Sequence, residues 1–237
     1  MLNLIKEIMK SKIVTEDPTT WKESLGRGLP VLDLNNCPAG CSRCEQICPT
    51  GALADKVVDP KVCIYCHSCR QICPVDAIGE TDIPLMKGSL TLEKLGQTLR
   101  EKIKQVCQRS LHIRYVDAGA CNACDFEINA LTNPIYDLQQ YGVDFVASPR
   151  HADLLVVTGV VTRNLEIALQ KTYAACPKPT LVIAIGSCAC GGGIFKDAYA
   201  AGGGVDKHLP VDLYVPGCPP TPIQIIKAIL TAINRKK

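Results

Sequence analysis

The chain has little that would tie it to nucleic acid, to a bilayer interior or to hydrolytic chemistry. Its formal charge is only +3 over 237 residues, too small for a phosphate-neutralising surface, so nucleic acid is not an expected partner. No apolar run reaches membrane-spanning length, and the most apolar stretch, 179–195, is broken by glycines and two cysteines. The opening residues, MLNLIKEIMKSK, mix acids and bases into a short apolar pattern and carry no secretory cleavage site. No Ser/His/Asp or paired-carboxylate arrangement supports hydrolysis. The glycine triplets at 191–193 and 202–204 lack the following Lys-Ser/Thr and the GxGxxG context of a phosphate loop.

What is abundant is cysteine. Fifteen cysteines would suit a disulfide scaffold in a secreted chain. Without a secretory signal, and at two- and three-residue spacings, they point to metal in a reducing compartment. A hydrophobic content of 47% with 21% charge is ordinary for a globular protein and leaves room for one large domain or two modest ones. The formal charge counts thiols as neutral. Four thiolates around an iron–sulfur core add roughly two negative charges per cluster, so a loaded chain is mildly acidic.

Eight cysteines lie in two runs, Cys37-x3-Cys41-x2-Cys44-x3-Cys48-Pro49 and Cys63-x2-Cys66-x2-Cys69-x3-Cys73-Pro74. Zinc also accepts CxxC, but rarely in consecutive two-residue steps followed by three residues and Cys-Pro, twice over. The pattern is that of a two-cluster ferredoxin, in which the last cysteine of each run serves the other cluster. That rule assigns Cys37, Cys41, Cys44 and Cys73 to one 4Fe–4S cluster, and Cys63, Cys66, Cys69 and Cys48 to a second. The first gap departs from the rule by one residue, which makes Cys37 the end of a slightly longer loop. The halves repeat, since Ile47-Cys-Pro-Thr-Gly-Ala52 echoes Ile72-Cys-Pro-Val-Asp-Ala77.

Periodicity outlines the rest. Residues 1–14 place Leu2, Leu4, Ile5, Ile8, Met9 and Ile13 near one face of a helix suited to packing on its own domain or a neighbouring subunit, with contact at a membrane surface the lesser alternative. Residues 15–36 form an extended lead-in containing the single tryptophan, Trp21. Residues 81–91 read as a loop and 91–107 as a helix. From His112 onward, apolar runs at 112–117, 143–147, 154–158, 181–185 and 211–215 read as strands, and 125–141, 163–175 and 220–235 as helices, the first interrupted at Asn133-Pro134. Such alternation implies an α/β, flavodoxin-like, mostly parallel sheet following the bacterial ferredoxin-like unit. The expected domains are 1–33 (helix and lead-in), 34–82 (ferredoxin-like), 83–108 (linker and helix) and 109–237 (α/β). Cys121 and Cys124 follow the first strand of this second part, Cys188 the fourth and Cys218 the fifth. Loops at the carboxyl ends of parallel strands share one sheet edge, so these cysteines can meet in space. Taken alone, Cys121-x2-Cys124 also suits a redox disulfide or half a zinc site. Gly186-Ser187-Cys188 and Pro216-Gly217-Cys218-Pro219-Pro220 add backbones that can approach sulfide closely and stay rigid.

The stretches RSLHIRYVDAGACNACDFEI, SPRHADLLVVTGVVTRN, IAIGSCACGGGIF and LPVDLYVPGCPPTP closely resemble the small subunit of membrane-bound, energy-converting NiFe hydrogenases of the formate hydrogenlyase type. That family is related to the complex I subunit that holds its terminal cluster. The resemblance covers about residues 109–235. Residues 1 to about 82 separately resemble the two-cluster ferredoxin-type subunit of the same complexes, so the chain looks like a fusion of two electron-transfer subunits. The resemblance implies a proximal 4Fe–4S cluster held by Cys121, Cys124, Cys188 and Cys218, with Cys190 an alternative ligand, and no catalytic residue on this chain. Complex I relatives carry adjacent cysteines at the first site, whereas this chain has Cys-x2-Cys, as hydrogenases do. Ala123 replaces the family's usual glycine.

The expected function is therefore electron transfer, through three 4Fe–4S clusters, to or from the NiFe site of a hydrogenase large subunit. The chain would be peripheral on the cytoplasmic side of a membrane-bound complex, beside other subunits and a donor such as a ferredoxin-type subunit or a formate or carbon monoxide dehydrogenase module. The alternatives are a quinone- or cofactor-reducing complex I-like subunit and, in another class, a non-enzymatic cluster-carrying module. Cys107 and Cys176 read as ordinary buried thiols. His67 and His151 read as structural residues or proton relays, and Asp125 and Glu127 as helix-start acids or partner contacts.

Overall fold

The computed structural model describes residues 27–88, 94, 97, 101 and 110–233. The expected helix at 1–14 and Trp21 lie outside them. Of the expected 91–107 helix, Lys94, Gln97 and Glu101 are described and are helical.

The second part of the chain is built on a six-stranded sheet. Strands β6 (Leu111–Asp117), β7 (Val143–Phe145), β8 (Leu154–Thr158), β9 (Leu181–Ile185) and β10 (Leu213–Val215) run parallel, and β5 (Met86–Lys87) adds an antiparallel edge. The order is β5-β10-β9-β8-β6-β7. Without β5 this is the doubly wound order of flavodoxin-like folds, with its switch point between β6 and β8. β8 and β9 read LLVVT and LVIAI and are buried throughout, as central parallel strands covered on both faces must be.

Alternate residues feed two cores. Leu154, Val156, Leu181, Ile183 and Ile185 pack on one face with Ile225, Ile226 and Ile229 of helix α6 (Pro222–Ala232). Leu155, Val157, Val182 and Ala184 pack on the other with Leu169 of helix α4 (Arg163–Ala175). Helix α6 begins in a full capping box: the Thr221 hydroxyl accepts from the Gln224 amide at 3.3 Å, and the Gln224 side chain accepts from the Thr221 amide at 3.0 Å.

The expected helix at 125–141 divides. Helix α3 spans Ala123–Ala130 and a 3-10 turn spans Leu138–Tyr141. Pro134 supplies no amide, and the Asn133 carboxamide accepts from the Ile135 and Tyr136 amides at 2.9 and 3.0 Å, closing a side-chain turn that competes with helix. Residues 81–91 are not all loop, since β5 covers the open edge of β10 there.

The ferredoxin-like unit is smaller and built of shorter elements. Strand β1 (Leu29–Leu32), within the expected lead-in, pairs antiparallel with β4 (Ile78–Thr81), so the unit begins before Leu34. A hairpin, β2 (Leu53–Ala54) and β3 (Val57–Val58), and short helices α1 (Arg43–Gln46) and α2 (Ser68–Ile72) complete it. The cysteines are part of its two small cores: Cys63 packs with Leu29, Ala52 and Tyr65, and Cys44 with Leu53 and Ile78.

Ile183 is 0% exposed at the centre of the large sheet. Ile183→Ala is expected to destabilise the chain by about 2–5 kcal/mol through the cavity it leaves, measured as a lowered denaturation midpoint with unchanged slope.

Candidate metal centres

The last cysteine of the first run lies beside the first three of the second. Cys48, Cys63, Cys66 and Cys69 line one cavity together with Pro49, Val58 and His67. Burial, and then the charges of Cys48, Cys69 and Cys66, push the Cys63 thiol up to about 11. Cys69 is likewise raised by burial and by Cys66 and Cys48. Cys48 goes the other way. Burial opposes its ionisation, but the Thr50 amide and hydroxyl and the Leu53 and Ala52 amides outweigh it and lower the thiol. The Tyr65 amide donates to Cys63 Sγ at 3.4 Å. His67, between two of these cysteines, spans the Gly28 carbonyl at 3.1 Å and the Glu80 carboxylate at 3.2 Å.

Cys37, Cys41 and Cys44 gather at the other end of the unit, where all three act electrostatically on Lys56. The Lys56 ammonium lies 2.9 Å from Cys37 Sγ. Cys44 is raised by burial, and Cys37 contributes. Cys73 packs on the core that contains Cys44, and its Sγ accepts from the Ala77 amide at 3.3 Å.

The third set forms at the carboxyl edge of the parallel strands. Cys121 and Cys124 follow β6, Cys188 lies in helix α5 (Ser187–Gly191) directly after β9, and Cys218 follows β10. Burial raises Cys124, and Cys188, Cys218 and Cys121 add to it in that order. Cys188 is pushed up to about 11 by burial, then by Cys218 and Cys121. The four sulfurs are thus within electrostatic reach of one another, although a hundred residues separate the first from the last. Gly186 leaves the room they need: a Cβ on it would lie 2.5 Å from Cys124 Sγ, and its φ is +91°. Behind Cys124, the buried Thr158 hydroxyl donates to Asp125 at 3.2 Å and lies 2.9 Å from the Tyr115 hydroxyl, which also donates to Asp125.

The second and third sets adjoin. Cys66 is among the charges that raise Cys218. The Ser187 hydroxyl, 1% exposed, donates to the Cys63 carbonyl at 2.6 Å, with the Gly217 carbonyl at 3.1 Å, while its amide donates to Gly217 at 2.8 Å. Around this junction Lys61 sits 3.6 Å over the Tyr214 ring, and Lys196 donates to the Thr50 carbonyl at 2.6 Å.

The remaining cysteines face elsewhere. Cys190, 1% exposed, packs in the core under α5 and its thiol donates to the Ala184 carbonyl at 3.6 Å. The Cys176 thiol donates to the Thr172 carbonyl at 3.3 Å, and Cys107 lies outside the described residues. His151 offers its carbonyl to His112, and burial raises the Glu127 carboxyl. Ser187 and Lys56 carried no site role in the sequence. The pair Gly186-Ser187 was a visible signal for the first; the second sits in a turn that only the folded hairpin aims at Cys37.

As donors these sets suit iron–sulfur clusters. Soft sulfurs gather in each set, those of the second lining one cavity, and amide hydrogens point at Cys63 and Cys73. Each thiolate also opposes the ionisation of its neighbours, a cost that polycationic iron between them removes. Among the described residues, no three His, Cys, Asp or Glu side chains form a compact single-ion site.

Known proteins agree with this chemistry. Residues 121–232 match the family described as NADH ubiquinone oxidoreductase, 20 Kd subunit, and residues 56–79 match the 4Fe-4S binding domain. The chain is 41% identical over 140 residues to the probable membrane-bound hydrogenase subunit mbhJ of Pyrococcus furiosus, covering 58% of this chain and 84% of that protein. It is 36% identical over 157 residues to formate hydrogenlyase subunit 7 of Escherichia coli, covering 66% of this chain and 62% of the relative. It is 44% identical over 108 residues to an NADH-quinone oxidoreductase subunit of Heliobacterium modesticaldum, covering 45% of this chain and 62% of that relative. The fold and cysteine sites define an iron–sulfur oxidoreductase subunit with a ferredoxin-like region ahead of an α/β sheet. The chain belongs to the family of the NADH ubiquinone oxidoreductase 20 Kd subunit.

Gly186→Ala is expected to displace Cys124 and to lower the iron that the chain binds. Iron and sulfide analysis beside an unchanged far-ultraviolet circular dichroism spectrum checks it.

Proposed function

We propose that this chain is the electron-transfer subunit of a multisubunit membrane-bound NiFe hydrogenase, carrying three 4Fe–4S clusters. Cys37, Cys41, Cys44 and Cys73 would hold the first, Cys48, Cys63, Cys66 and Cys69 the second, and Cys121, Cys124, Cys188 and Cys218 the proximal one. When bound, the clusters supply one-electron carriers. The chain's own residues would hold them, with the Tyr65 and Ala77 amides donating to Cys63 and Cys73 and with Cys63 buried. The observation that carries the reading is the convergence of Cys121, Cys124, Cys188 and Cys218 at one sheet edge, next to the Cys66 set.

Cys188 is the preferred proximal ligand over Cys190, because Cys190 is 1% exposed and its thiol donates into the core to the Ala184 carbonyl, whereas Cys188 is half-buried. A partner large subunit with the NiFe site would dock where Cys121, Cys218 and the 73% exposed Phe126 reach the surface. Among the described residues no helix is long and apolar enough to cross a membrane. The chain would sit peripherally on the complex, on its cytoplasmic side, as the similarity to a membrane-bound hydrogenase subunit supports for the complex itself. The similarity to hydrogenase subunits and the Cys-x2-Cys spacing favour hydrogenase. The similarity to the NADH-quinone oxidoreductase relative supports the second reading, a complex I-like quinone- or cofactor-reducing subunit on the same scaffold.

Anaerobically purified protein is expected to hold about twelve irons with matching sulfide. Cys188→Ser is expected to lose about four, and Cys190→Ser none; zinc without sulfide would end the reading. Isolation from its native membrane should bring down a large subunit with stoichiometric nickel, whereas a nickel-free partner with quinone reductase activity would select the second reading.

A further inference from the structure

One cation stands directly against a proposed cluster ligand. The Lys56 ammonium lies 2.9 Å from Cys37 Sγ and 3.5 Å from the Pro38 carbonyl, and it also feels Cys41 and Cys44. Its backbone makes that reach at a cost. Asp55 and Lys56 are the two central residues of the β2–β3 hairpin, with φ of +48° and +62°. Left-handed values at both positions define a turn whose second place favours glycine, because a side chain there is strained. A long basic residue fills it instead. Its amide donates to the Glu45 carboxylate at 3.0 Å, which fixes the turn against helix α1. Strain retained at one position, with the side chain aimed at a functional group, points from geometry to role.

The contact also falls where the first cysteine run departs from the regular spacing. Pro38, Ala39 and Gly40 separate Cys37 from Cys41, and the Cys41 amide donates to the Pro38 carbonyl at 3.2 Å. Lys56 thus touches both the displaced sulfur and the carbonyl that closes the longer turn. The cations at the junction of the second and third sets engage a ring and a carbonyl instead of a sulfur. Lys61 sits over Tyr214 and Lys196 donates to the Thr50 carbonyl.

From this geometry we infer that Lys56 is a positioning and potential-setting residue for the cluster held by Cys37, Cys41, Cys44 and Cys73, making it easier to reduce than it would be on the same ligands alone. The inference rests on the assignment of a cluster to those cysteines. A fixed positive charge beside a thiolate favours the form carrying one more electron. No bond is made or broken, and the only transfer is the electron that the relay already carries. Because Lys56 is only half-buried, its effect weakens as ionic strength rises.

Anaerobic redox titration followed by electron paramagnetic resonance, on the full chain with its clusters, tests this. Iron and sulfide content of the unaltered chain, about twelve irons, first establishes the clusters, so a failure there is a failure of the assignment and not of Lys56. The signal of the cluster concerned is the one perturbed by Cys37→Ser. In Lys56→Met and Lys56→Gly its electron affinity is expected to fall on the order of tenfold, or about 59 mV for a one-electron couple, with the other two potentials and the iron content unchanged. Lys56→Arg is expected to hold the potential near its original value. Lys56→Gly separates charge from architecture, since it relieves the turn while removing the cation and so leaves the thermal midpoint equal or higher. Unchanged potentials in both Lys56→Met and Lys56→Gly, or loss of that cluster's iron in Lys56→Gly, would overturn the inference.

Discussion

A single buried hydrogen bond, from the Ser187 hydroxyl to the Cys63 carbonyl at 2.6 Å, fixes how the two halves of the molecule meet. One partner is the backbone of a cysteine of the second set. The other is the residue before Cys188 of the third. The Ser187 hydroxyl keeps the Gly217 carbonyl as an alternative acceptor, but a buried Cys63 carbonyl left without its partner costs about 1–3 kcal/mol, so sliding the halves apart is penalised at the point where their candidate cluster cysteines approach. Lys61 over Tyr214 and Lys196 on the Thr50 carbonyl reinforce the same seam. The parallel sheet places Ser187 there, because β9 ends at Ile185 and the chain turns through Gly186 directly into α5.

The second constraint is electrostatic and common to all the cysteine sets. Thiols crowded in partly dry sites resist ionisation through burial and through each other, as Cys63 and Cys188, both pushed up to about 11, illustrate. Such sites are poor hosts for bare thiolates and good hosts for a polycationic core. The sets differ in what else surrounds them. Amides and the Thr50 hydroxyl favour ionised Cys48, an ammonium stands at Cys37, and burial dominates at Cys124. Similar ligands in dissimilar fields are the means by which one chain separates the properties of several clusters.

Much of this was legible from residue types and spacing. The two cysteine runs announced the ferredoxin-like unit, and Cys48 lines one cavity with Cys63, Cys66 and Cys69 in the folded chain. Continuous apolar runs located β8 and β9 to the residue, because strands buried on both faces leave no ambiguity of period. Elements stabilised by partners distant in sequence were not legible. β1 and β5 are two to four residues long and exist only because β4 and β10 offer open edges. The break in the helix after Ala130 depends on how the Asn133 side chain folds back on the next amides. Lys56 needed a left-handed hairpin turn to be aimed, and Ser187 needed the other half of the molecule to have an acceptor.

In the proposed relay the Cys66 set lies between the Cys37 set and the proximal set. Electron paramagnetic resonance of the fully reduced chain tests it through the magnetic interaction between neighbouring clusters. The proximal signal should be broadened by the cluster of the Cys66 set and sharpen when that cluster is removed by Cys66→Ser, while removing the Cys37-set cluster leaves it unchanged. A proximal signal that sharpens on loss of the Cys37-set cluster, and not on loss of the Cys66-set cluster, would contradict the arrangement.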